Sequence, residues 1–203
     1  DAALLPNPSN KIVFSTDSFV VQPLIFPGGD IGNLAVHGTV NDISVAGGKP
    51  LWLSLGLILE EGLPIETLQV VLDTIKKTAE ECNIKIVTGD TKVVGRGQCD
   101  GMYINTAGIG EALENFNLDK NKIIPGDTLL LSGTIGDHGM AVLAAREGIK
   151  IENGPESDTA SVYKLVEIAH EFGEDVRFMR DPTRGGLAAV LNEIASKTKI
   201  GFK

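Results

Sequence analysis

Residues 30–59 read Asp30-Ile31-Gly32-Asn33-Leu34-Ala35-Val36-His37-Gly38-Thr39-Val40-Asn41-Asp42-Ile43-Ser44-Val45-Ala46-Gly47-Gly48-Lys49-Pro50-Leu51-Trp52-Leu53-Ser54-Leu55-Gly56-Leu57-Ile58-Leu59, and this stretch decides the fold class. Asp30 is a good N-cap for a helix carrying Ile31, Leu34, Ala35, Gly38 and Val45. Gly47-Gly48, with Pro50 just beyond, is a stop signal. Residues 51–59 then read as a buried strand; they are too short to span a bilayer and contain Ser54 and Gly56.

Working outward, residues 11–16 are expected to form a strand running into Asp17, with a turn at Phe26-Pro27-Gly28-Gly29. Pro64 opens a helix with Leu68, Val71, Leu72, Ile75 and Ala79 on one face. Strands are expected over 84–88, ending at Thr88-Gly89-Asp90, and over 102–109, followed by a polar linker at 114–122. A second unit starts near Ile124-Pro125-Gly126-Asp127. It is read as a strand over Leu129–Ser132, the loop Gly133-Thr134-Ile135-Gly136-Asp137-His138-Gly139, a helix to Gly148, and helices over 159–172 and 185–198. The alternation implies an α/β or α+β chain of two units, residues 1–118 and 123–203, without internal repeats.

Composition narrows the chemistry. The net charge is −9, which disfavours a general nucleic-acid or membrane surface. An acidic protein that binds an anionic nucleotide needs a metal between the charges. Cys82 and Cys99, the two cysteines, fit neither a zinc knuckle nor a redox pair, so the cytosol is the default compartment. Glycine, with 24 residues, reaches about 12% against a typical ~7%, concentrated in short clusters such as ligand loops require. The chain begins at Asp1 without Met and stops just after an apparent strand start at Ile200-Gly201-Phe202, so it is expected to be a piece of a longer protein.

Five aspartates are candidate oxygen ligands for a hard cation: Asp1, Asp17, Asp42, Asp90 and Asp181. Capping and turn formation explain most aspartates taken singly. Asp42 differs, because its helix is largely apolar. The loop Gly133–Gly139 could present backbone N–H groups to a phosphate, or be only a tight strand-to-helix turn; it does not match G-x-G-x-x-G. There is no Walker A either, since Gly48-Lys49 is followed by Pro50 and the earlier glycine position holds Ile43. Lys92 is the candidate base, with a plain surface lysine as the alternative. Arg184 could clamp a phosphate or form a salt bridge, and His138 sits in the glycine loop.

The strings Thr16-Asp17-Ser18-Phe19, Phe26-Pro27-Gly28-Gly29-Asp30-Ile31-Gly32, Gly38-Thr39-Val40-Asn41-Asp42, Ile58-Leu59-Glu60-Glu61-Gly62-Leu63-Pro64, Val87-Thr88-Gly89-Asp90-Thr91-Lys92-Val93-Val94, Ile104-Asn105-Thr106-Ala107-Gly108, Ser132–Gly139 and Arg180-Asp181-Pro182-Thr183-Arg184-Gly185-Gly186, in that order, resemble the HypE family of hydrogenase maturation factors. That family is similar to aminoimidazole ribonucleotide synthetase and selenophosphate synthetase. The resemblance implies a two-domain PurM-like α/β architecture, here with the second domain truncated, and a homodimer whose N-terminal domains close their sheets into a barrel. It implies ATP and Mg²⁺ as cofactors. It places Asp1, Asp42 and Asp181 on the metal, Asp17, Asn41, Asp90, Thr91, Gly136, His138 and Arg184 on the nucleotide, and Lys92 in catalysis.

The implied activity is that of a carbamoyl dehydratase. A carbamoyl group from HypF, carried on the sulfur of the protein's own C-terminal cysteine, is converted to thiocyanate, and the cyano group passes to iron on HypC–HypD for [NiFe] hydrogenase. The chain lacks the family's C-terminal Pro-Arg-x-Cys tail, for which neither Cys82 nor Cys99 stands in, so by itself it is expected to be inactive. The alternatives are a related phosphotransfer enzyme of the selenophosphate synthetase or thiamine-monophosphate kinase type, and a non-catalytic docking module for maturation proteins.

Overall fold

The computed structural model describes residues 2, 3, 5, 6 and 11–202. Strand β1 (Ile12–Phe19) is followed by two short strands, β2 (Ile25–Phe26) and β3 (Gly29–Asp30), that pair with each other. Helix α1 (Ile31–Val45) starts where expected: the Asp30 carboxylate accepts from the backbone N–H of Gly32 and Asn33, and the Asn33 side chain accepts in return from the N–H of Asp30. Such a reciprocal cap is worth about 1 kcal/mol. After Gly47 come β4 (Gly48–Glu60), α2 (Ile65–Glu81), β5 (Lys85–Val94) and β6 (Met102–Ala112). The strand expected over 84–88 therefore runs on through the whole Gly-Asp-Thr-Lys string.

The four long strands form one sheet in the order β1-β6-β4-β5, with β5 parallel to β4 and the other pairs antiparallel. Helices α1 and α2 cover one face. Ile31, Val36, Val40 and Ile43 of α1 are fully buried there with Leu53, Met102 and Ile104 of the sheet and Val71 and Ile75 of α2. Each such side chain contributes roughly 1.5–3 kcal/mol relative to exposure. The close seat of α1 depends on Gly108 of β6. A Cβ there would sit 2.7 Å from both Ile43 Cδ1 and Thr39 Cγ2. Beside it, the Thr39 and Thr106 hydroxyls hydrogen-bond to each other and Thr106 also donates to the Ala35 carbonyl, so the polar atoms at this contact are satisfied.

The other face of the sheet is uncovered among the described residues. Ile12 and Phe14 of β1 are 56% and 63% exposed, and Ile58 of β4 stands out on the same side.

The second unit contributes α3 (Asp137–Arg146), α4 (Tyr163–Glu171) and α5 (Gly186–Thr198). The strand expected over Leu129–Ser132 does not form: Leu129, Leu130 and Leu131 are exposed, and no described backbone pairs with them. A strand needs a neighbour to satisfy its N–H and C=O groups, whatever its own propensity. The helix expected from 159 begins only at Tyr163, because residues 157–162 are held in another way. The Ser157 N–H donates to the Pro27 carbonyl, the Thr159 hydroxyl bonds His37 Nδ1, and Asn41 of α1 takes both the Ala160 carbonyl (2.9 Å) and the Val162 N–H (2.9 Å). This strap lies along the polar stripe of α1. Gly28, at φ +86°, makes room for it: a Cβ there would meet Ser157 N at 2.5 Å.

Candidate active site

Two structural facts bring Asp17 and Asp42 together. On β1, side chains alternate, so Val13, Ser15, Asp17 and Phe19 face α1. On α1, Asp42 follows Ala35 and Thr39 at helical spacing and so faces the sheet with them. The Ser15 hydroxyl donates to Asp42 Oδ2 at 2.7 Å. The Asp17 carboxyl is pushed above its ordinary range by burial, then by the charge of Asp42 nearby; the Arg184 guanidinium opposes this. Asp181, from the loop before α5, is likewise raised, first by burial and then by the charges of Asp42 and Asp17. Three acids from β1, α1 and the second unit thus share a field, with the Arg184 guanidinium opposing it at Asp17 and that of Arg180 at Asp181.

The set offers hard oxygen donors, partly buried and close enough for the charge of one to raise the proton affinity of another, and this fits a magnesium ion on nucleotide phosphates. The cluster is open rather than closed: among the described residues, no three acidic, histidine or cysteine side chains stand near enough to enclose a metal as they are. Asp1 lies outside the described residues.

The other expected residues are distributed around this centre. Arg184 reaches it through the field of Asp17. Asn41, one residue from Asp42, spends its amide on the Ala160 and Val162 backbone. Gly136 is the left-handed residue at the N-terminus of α3. His138, on the first turn of α3, packs its ring edge-on against Phe26 and bonds Ser157 Oγ at 2.9 Å, and burial holds its imidazole below the ordinary value. That end of α1 is on the order of 16 Å from Asp42 along the helix axis.

Asp90, Thr91 and Lys92 stand elsewhere. Register rows across the sheet decide this. Asp17 pairs with Thr106, Thr106 with Leu55 and Leu55 with Gly89; the adjacent row is Ser18, Asn105, Gly56 and Asp90. Asp90 and Lys92 therefore project from the uncovered face, while Asp17 projects from the face that α1 covers. They are also three strand spacings away, roughly 14 Å. Asp90 and Lys92 form an exposed ion pair at 2.9 Å, and Asp90 is held below its usual range by Lys92 and by the Thr91 N–H. Within one protomer the structure does not bring Lys92 to the aspartate cluster. On the helix side of β5, a shallow cavity of about 500 Å³ is lined by Leu55, Leu57, Ile86, Gly89 and Thr91 among others.

Ser15 was not legible as a site residue. A serine on a strand carries no signal until the helix that it touches is placed.

Comparison with known proteins agrees with this architecture. The family model for the AIR synthase related protein N-terminal domain matches residues 1–112, and that for the C-terminal domain matches residues 125–203. The carbamoyl dehydratase HypE of Rhizobium leguminosarum bv. viciae is 48% identical over 100% of this chain and 58% of its own length. A crystal structure of the hydrogenase maturation protein HypE in complex with ATP matches with a TM-score of 0.93 at 51% identity, covering 98% of this chain and 59% of that one. A crystal structure of a HypE–HypF complex matches with a TM-score of 0.89 at 50% identity, covering 93% and 62%. The chain thus spans about three-fifths of the length of these relatives.

Proposed function

Since the chain belongs to the AIR synthase related family, we propose that it is the nucleotide-binding part of an ATP-dependent carbamoyl dehydratase of the HypE kind, working in the cytoplasm in hydrogenase maturation. The observation that carries the reading is the shared field of Asp17, Asp42 and Asp181, assembled from both family domains, with Arg184 beside it. Units 1–118 and 123–203 are the corresponding domain division.

In this reading Asp42 and Asp181, with Asp1, hold magnesium. When bound there, magnesium supplies countercharge for the phosphates. Asp17 and Arg184 line the phosphate end, with Asn41 beside Asp42 holding the strap against α1 there, and Gly136 and His138, toward the far end of α1, are the remaining nucleotide contacts. The substrate is a carbamoyl group on a cysteine sulfur. Its oxygen is a poor leaving group as hydroxide; transfer of the ATP γ-phosphoryl onto it lets it leave as phosphate. Loss of the two nitrogen protons then closes the C≡N bond, giving thiocyanate, ADP and phosphate. Lys92 serves that step as base or cation, with Asp90 and Thr91 beside it.

The separation of Lys92 from Asp42 sets a condition on this reading. The arrangement that brings them within reach is a two-fold dimer joined through the uncovered sheet face, with the β5 edge of one protomer set beside the β1 edge of the other. The exposure of Ile12, Phe14 and Ile58 supports it. HypF as carbamoyl donor and HypC–HypD as cyano acceptor are the corresponding partners. By itself this chain would put no cyano group on Cys82 or Cys99: burial raises both thiols, which disfavours the thiolate that a nucleophile needs.

Calorimetry of Mg-ATP binding to the intact protein tests the reading. Asp42→Asn should weaken binding and leave thermal unfolding intact, and Lys92→Ala should bind ATP but give little thiocyanate by mass spectrometry. Unchanged nucleotide affinity in a stable Asp42→Asn protein would remove the cluster from the site.

A further inference from the structure

Asp42 is an acid in the middle of a helix, and this poses a positional problem. Every backbone N–H around it is engaged in the helix, so none is free to hold its carboxylate. Left alone, a short acidic side chain turns back on its own helix or rotates away from like charges. Here the neighbours are like charges: Asp17 stands on the same face of β1, and Asp181 approaches from the second unit. Yet Asp42 is directed at β1, and the hydrogen bond at 2.7 Å from the Ser15 hydroxyl is what directs it.

We propose that Ser15 is the positioning residue that presents Asp42 to its divalent cation; this rests on the nucleotide-binding reading above. The Ser15 hydroxyl engages one carboxylate oxygen, Oδ2, and leaves Oδ1 for the metal. Ser15 and Asp17 are two residues apart on one strand face, so Asp42 is held beside Asp17 rather than repelled from it. The donor is neutral. A lysine or arginine here would hold the carboxylate equally well but would cancel its charge and repel the cation. A hydroxyl orients the acid and leaves it anionic. Opposite Ser15 on β6 is Gly108, the residue that lets α1 sit low enough for this bond to close.

The test is a magnesium titration of ATP binding in the intact protein, read by calorimetry for wild type, Ser15→Ala, Ser15→Thr and Asp42→Asn, with thermal unfolding measured in chelator. Ser15→Ala should need about tenfold more magnesium for half-maximal ATP binding, the loss expected for one hydrogen bond to a charged group, and should recover ATP affinity at saturating metal. Its thermal midpoint should move by no more than a few degrees. Ser15→Thr keeps the hydroxyl on a strand-favouring residue and should lie within about twofold of wild type. A Ser15→Ala curve that overlays wild type, while Asp42→Asn is displaced, refutes the role of Ser15 and leaves the nucleotide reading standing. A uniform loss at all magnesium concentrations with a lowered midpoint makes Ser15 merely structural and also refutes it. Magnesium-independent ATP binding in wild type overturns the reading beneath the proposal as well.

Discussion

Replacing Gly108 by alanine should damage fold and site together, by an amount that the packing sets. The new Cβ would sit 2.7 Å from Ile43 Cδ1 and Thr39 Cγ2 and 2.8 Å from Leu53 Cδ2. Ordinary carbon contact is short of being met by about 0.7 Å. The three atoms are ends of side chains, but they belong to buried residues in a filled core, so rotation is obstructed and part of the adjustment falls on α1 as a body. Overpacking of this kind costs about 1–3 kcal/mol. For a chain of this size that lowers the thermal midpoint by roughly 2–4 °C for each kcal/mol. If α1 lifts by the full deficit, the bond from Ser15 to Asp42 stretches from 2.7 Å to about 3.4 Å, beyond effective hydrogen bonding. Gly108→Ala should then reproduce the raised magnesium requirement of Ser15→Ala, on top of a lowered midpoint. Scanning calorimetry and the magnesium titration measure the two effects independently. A Gly108→Ala protein with lowered stability but a wild-type magnesium curve would show that side chains absorb the strain, and would refute the coupling of helix seat to site.

The raised carboxyls of Asp17 and Asp181 carry a pH dependence of definite sign. A folded value above the unfolded one means that the folded state holds its protons longer, so metal-free stability should fall as pH rises through the folded values. Magnesium should therefore raise the thermal midpoint more at about pH 7.5 than at about pH 5, and an equal shift at both would count against a carboxylate cluster. Asn41→Ala removes both bonds that hold the strap at Ala160 and Val162, a loss of roughly 1–3 kcal/mol, and limited proteolysis should then cut near residues 157–162 sooner than in wild type. Phe14→Asp places a charge on the uncovered face of β1, at a residue 63% exposed in the protomer. Light scattering at micromolar concentration should show a shift from dimer toward monomer; an unchanged dimer would exclude this face as the interface.

Residues close in sequence were readable because their signals act within a turn of chain. The Asp30 cap, the Gly47-Gly48-Pro50 stop and the buried strand after it depend on neighbours, and they set the helix–strand order of the first unit without reference to anything distant. Asp42 was conspicuous for a similar reason, since a charge among Val40, Ile43 and Val45 contradicts its own helix. Register and docking are different in kind. The Ser15 bond joins residues 27 apart and the Asn41 bonds join residues 119 and 121 apart, and neither partner advertises the other. The same holds for Lys92. Its string suggested a phosphate site shared with Asp42, but the rows of Cα partners put it on the opposite face and edge of the sheet. The apolar run at Leu129–Ser132 has strand propensity and no strand, because a strand is a property of a pair. Which residues are chemically unusual, and which local elements form, follows from neighbours along the chain. Which of those residues share a site depends on sheet register and on how deeply one helix seats against it, and both are properties of the folded molecule alone.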